Sequence, residues 1–92
     1  MKITREELRE HFKGYQGNLI GNLPPWDYYD IMINYIEKEN YLQIIYGMGV
    51  TYLLIILDFF EENEQYEHCA KIRDTIGNHK KVSGNNTKMR LE

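Results

Sequence analysis

Residues 40–57 read NYLQIIYGMGVTYLLIIL, a run without a charge that is apolar almost all the way round. Only Gln43, Gly47, Gly49 and Thr51 interrupt its isoleucines, leucines and tyrosines. A helix packed on one neighbour shows an apolar stripe, so this segment calls for neighbours on several sides. The flanks carry helical patterns, and the run itself shows no alternation of apolar and polar positions. One central helix is therefore expected, from about Tyr41 to Glu62. Gln43, Gly47, Thr51, Asp58 and Glu62 would fall on one narrow polar strip of it. Two other readings compete: a hairpin of strands 42–46 and 50–57 turning at Gly47-Met48-Gly49, and a membrane span over 40–57. The first suits the β-branched content. The second is short for a bilayer, is broken by Gln43 and Thr51, and has acids at both ends.

Working outward, Thr4-Arg5-Glu6-Glu7 has the form of a capping box and opens a short helix to about Lys13, with Leu8 and Phe12 on one face. Residues 14–24 are rich in glycine and asparagine and form a loop, with Leu19, Ile20 and Leu23 as an apolar plug. A second helix is expected from about Pro25 to Lys38, with Asn22 as a possible cap. Trp26, Tyr29, Met32, Ile33 and Ile36 share one face of it, and Tyr28, Ile31 and Tyr35 form a second strip. A last helix runs from about Gln65 to Ile76, with Tyr66, Cys69, Ala70, Ile72 (or Arg73) and Ile76 inward and Glu67, His68, Lys71, Asp74 and Thr75 outward, and Gly77-Asn78 ends it. Residues 79–92 are poor in apolar side chains and are expected to be a disordered basic tail. The closing Leu91-Glu92 has the form of a cloning scar.

An internal echo ties the middle helices together. Tyr35-Ile36-Glu37-Lys38-Glu39-Asn40-Tyr41 and Phe60-Glu61-Glu62-Asn63-Glu64-Gln65-Tyr66 align as aromatic-x-Glu-x-Glu-amide-Tyr. The pattern implies successive antiparallel helices joined by one kind of tight turn. The fold class is thus all-α: a small antiparallel bundle of three main helices plus a short N-terminal one, residues 1–78, followed by the tail at 79–92.

Charge is uneven along the chain. Residues 26–67 carry nine acids against Lys38 alone, whereas Lys71, Arg73, Lys80, Lys81, Lys88 and Arg90 crowd the last quarter. Those six cations are the candidate contact for a polyanion such as a nucleic acid, although no aromatics interleave them. The single Cys69 excludes an internal disulfide framework. Met1–Lys13 is too charged for a signal peptide, so a cytoplasmic protein is expected. One alanine beside eleven isoleucines, eight asparagines and eight tyrosines suggests an AT-rich bacterial or phage genome.

Tyr66-Glu67-His68-Cys69-Ala70-Lys71-Ile72-Arg73-Asp74-Thr75-Ile76 resembles the second helix of the UVR motif, a short helical hairpin of excision-repair and protease-adaptor proteins. The shared pattern is Tyr66-Glu67, Cys69-Ala70, Ile72, Arg73-Asp74 and Ile76. The resemblance implies a protein-docking hairpin.

Nothing in the sequence assembles a catalytic, cofactor or metal site. Cys69 lies on an inward face, Ser83 lies in the tail, and Glu64 with His68 is an exposed pair with no second paired set beside it to make a metal shell. No phosphate-binding glycine loop occurs. The expected function is a non-catalytic protein–protein interaction module, an adaptor or small regulator. It would form a homo-oligomer, most simply a dimer, and dock on an unknown protein partner. Its interface would hold Trp26, Tyr28, Tyr29, Tyr35, Tyr46 and Tyr52, because tyrosine favours half-buried surfaces.

Overall fold

The structure is a computed structural model that describes residues 3–15 and 23–91, with side chains described through Lys80. The described residues form helices and turns only, so the fold is all-α. The helices are α1 (Arg5–Lys13), α2 (Trp26–Glu37), α3 (Tyr41–Met48), α4 (Val50–Glu62) and α5 (Tyr66–Leu91). No helix among the described residues is long and apolar enough to cross a membrane. Leu19, Ile20 and Asn22, expected as plug and cap, lie outside the described residues.

Local signals place the helix ends. Thr4 accepts from the Glu7 amide and the Glu7 side chain reaches back to the Thr4 amide, so the capping box forms. The echoed segments prove to be the same turn. Glu39 and Glu64 both sit in the left-handed region, at φ 55° and 58°. The following amides then reach back across each helix end, Asn40 to the Tyr35 carbonyl and Gln65 to that of Phe60.

The central helix is not one helix. Gly49, at φ 103° and ψ 157°, separates α3 from α4. Tyr41 at the start of α3 and Phe60 near the end of α4 both pack on His68 of α5, so the chain reverses at Gly49 into a helical hairpin. The strand hairpin had the reversal in the right place but the wrong secondary structure. A side chain at Gly49 would force an L-residue into a conformation it rarely adopts, while Gly47 is an ordinary helical glycine in open space. Gly49→Ala is accordingly expected to lower stability by about 1–2 kcal/mol, and Gly47→Ala to raise it by about 0.5–1 kcal/mol. Denaturant titration of the two variants checks the opposite signs.

Around this hairpin the other helices close one core. Leu8 and Phe12 come from α1, Tyr29, Met32 and Ile36 from α2, Tyr41, Ile44 and Ile45 from α3, and Leu53, Ile55, Ile56, Phe59 and Phe60 from α4. From α5 come Cys69, Ile72 and Ile76, with Ile3 completing the set. Two expectations for α5 are corrected. Tyr66 and Ala70 face outward, because the arc that meets α3 and α4 is the one that holds His68, Cys69, Ile72 and Ile76. The helix also continues through Gly77-Asn78 to Leu91. One helical glycine costs only about 1 kcal/mol, and beyond it His79 packs its ring edge against Tyr46 of α3, with centroids 6.2 Å apart.

Candidate functional site

The clearest grouping of chemical side chains lies where α1 crosses α4. On α4, Asp58 and Glu62 stand four residues apart on one helix face; facing them are His11, near the end of α1, and Tyr15, in the turn that follows it. His11, Tyr15 and Glu62 line an open cleft of about 880 Å3 between α1 and the end of α4, with Asp58 beside it. The His11 ring lies between Tyr15 and Phe59, with centroids 5.4 and 5.3 Å away, and only 9% of its side chain stays exposed.

Hydrogen bonding fixes the orientation of that ring. Nε2 lies 3.0 Å from the Ile55 carbonyl oxygen, which can only accept, so Nε2 carries a proton. Asp58 Oδ2 is a second acceptor for it at 3.3 Å. Among the described residues Nδ1 makes no hydrogen bond, and it lies 3.9 Å from Glu62 Oε1. The Tyr15 hydroxyl donates to the same Asp58 carboxylate. That bond, with burial and the charge of Asp58 added, raises the Tyr15 pKa to about 12, so the phenol keeps its proton at neutral pH.

Sequence reading placed Asp58 and Glu62 on a polar strip of an apolar helix but gave them no partner. Their signal was the four-residue spacing shared with His11 and Tyr15. It becomes informative only once α1 is known to lie on α4.

The interface candidates take different places. Tyr29 is fully buried, with its ring edge-on to Phe12 at 5.9 Å, so it belongs to the core and offers nothing to a partner. Tyr52 is half-buried and packs on Phe12, and Tyr35 is half-buried. Trp26 is 40% exposed, with the Arg5 guanidinium over its ring at 4.6 Å. Tyr28 and Tyr46 are exposed.

Of the candidate polyanion contacts, Lys71 is bonded to Glu39 at 2.6 Å and Arg73 to Glu61. The Lys71–Glu39 hydrogen bond pushes the lysine pKa up and the carboxylate pKa down. Lys80 is exposed, while the side chains of Lys81, Lys88 and Arg90 lie outside those described.

His68, weighed above with Glu64 as a metal pair, is half-buried. Its ring stacks on Phe60, centroids 4.4 Å apart, and its Nδ1 meets the Tyr41 hydroxyl at 2.6 Å. Burial lowers the His68 pKa and raises that of Tyr41 to about 12. This pair is a structural link between α3, α4 and α5. Cys69 is buried, with its thiol pKa raised by burial, which makes it unreactive.

Comparison with protein-family models, with curated protein sequences and with solved structures gives no match in any of the three.

Proposed function

We propose that this chain is a non-catalytic helical interaction module, an adaptor or small regulator, that pairs with a second copy of itself through the outer face of α2. The observation that carries the reading is what remains outside after the core is complete. Tyr28, Ile31 and Tyr35 stand three and four residues apart on one face of α2, the spacing with which a helix lays an apolar face against another. Tyr28 and Ile31 are each 42% exposed, although α2 already contributes Tyr29, Met32 and Ile36 inward. Tyrosine at such a place buries a ring while leaving its hydroxyl a polar outlet. The α4–α5 hairpin, where the UVR-like segment lies, leaves Leu54 and Tyr66 exposed and is a surface for a further protein partner.

Sedimentation tests the reading. At tens of micromolar the protein is expected to run at twice its 11.1 kDa chain mass. Ile31→Lys is expected to weaken association by roughly 100-fold while leaving the helical signal intact, because the side chain lies outside the core. A wild-type particle of one chain mass at that concentration refutes the proposal.

A further inference from the structure

We propose that the α1–α4 cleft is a divalent-metal site of zinc-type chemistry, with His11 Nδ1 and the Glu62 carboxylate as direct ligands and Asp58 orienting the ring. Three observations converge on it. First, one ligand atom each from His11, Asp58 and Glu62 falls within 4.8 Å of the others. Second, the histidine is set as a metal-binding histidine is usually set. Its far nitrogen donates to a backbone carbonyl and a carboxylate, which fixes the tautomer and leaves the other nitrogen's lone pair free. Third, that nitrogen belongs to a ring nine-tenths buried, has no hydrogen-bond partner among the described residues, and lies 3.9 Å from a carboxylate oxygen.

On a neutral ring a lone pair facing a carboxylate oxygen is repulsive, and a metal ion between the two relieves that repulsion as a proton on Nδ1 would. Ligand atoms bound at about 2.1 Å to a tetrahedral zinc stand about 3.4 Å apart, so a shift of roughly half an ångström closes the site. Glu62 can supply that shift, since 65% of its side chain is exposed. Glu6, Glu7 and Glu10 line the same cleft and enrich it in cations, and water completes the coordination. A zinc bound there clips α1 to α4.

The test is a calorimetric titration of the full chain with zinc chloride, read alongside histidine nitrogen NMR and thermal melting. One zinc per chain is expected at micromolar affinity, with the Nδ1 resonance of His11 moving. At a hundredfold excess over Kd the midpoint should rise by roughly 10 °C. Glu62→Gln, a change at an exposed side chain, should weaken binding at least tenfold. His11→Gln should remove it, and His68→Gln with His79→Gln should leave it unchanged. If His11→Gln fails to fold, Glu62→Gln and the His11 resonance decide. Absence of binding at millimolar zinc, or binding that Glu62→Gln leaves untouched, overturns the site.

Discussion

Replacing Phe60 by alanine is expected to destabilise the protein by about 3–5 kcal/mol, a large part of the stability of a domain this small. The ring is fully buried at the point where three helices meet. It stacks on His68 of α5 at an interplanar angle of 13°, and it touches Phe59 edge-on at 5.6 Å. Tyr41 of α3 reaches the same histidine.

The loss should also depend on pH in a defined direction. Burial holds the His68 pKa in the folded state below its ordinary 6.5. The unfolded chain therefore takes up the proton first. This histidine's contribution is complete above about 6.5 and is lost as pH falls from there through the folded value. Phe60→Ala removes the ring that excludes water from His68, so the decline flattens. The measured loss should then be larger at about pH 7.5 than at about pH 5.5. Equal losses at the two pH values would show that Phe60 does not keep His68 dry.

Phe12→Ala is expected to cost a similar 3–5 kcal/mol if the molecule unfolds as one unit, but its clearest signature is local. Phe12 is fully buried and fixes α1 to two partners, edge-on to Tyr29 of α2 at 5.9 Å and to Tyr52 of α4 at 5.7 Å. Among the described residues α1 packs on α2 and α4 alone, whereas α3, α4 and α5 all pack on one another. Hydrogen exchange should show the α1 amides losing protection while those of α4 and α5 keep most of theirs. Unchanged protection in α1 would mean that Leu8 and the Tyr15–Asp58 bond suffice to hold it.

What the sequence revealed was whatever is decided locally. The Thr4–Glu7 box and the echoed turns at Glu39 and Glu64 depend on residues three to five apart, so their chemistry is written in adjacent letters. The reversal at Gly49 was legible only as a turn between strands; as a break between helices it was hidden because Tyr41, Ile44 and Ile45 continue onto Ile55, Ile56 and Phe59 in helical phase. A straight helix and a folded one therefore share the pattern, and only the φ of one glycine separates them. The placement of Tyr29 inside and Tyr28 outside follows from which helix covers which face of α2. No periodicity decides that when both faces are apolar. The His11–Asp58–Glu62 grouping needed tertiary knowledge throughout, since its two halves lie on helices far apart in the chain.

That separation bears on how the protein is made. His11 is held by the carbonyl of Ile55, 44 residues later in the chain. At a synthesis rate of about 5–20 residues per second, α1 leaves the ribosome roughly 2–9 s before its docking surface exists. For that interval α1 has only its capping box and its contacts with α2, Phe12 on Tyr29 and Arg5 on Asp30, since nine residues are too few to stay helical alone more than fleetingly. The α1 helix is thus fully secured only when α4 has emerged, 44 residues after His11 itself was translated.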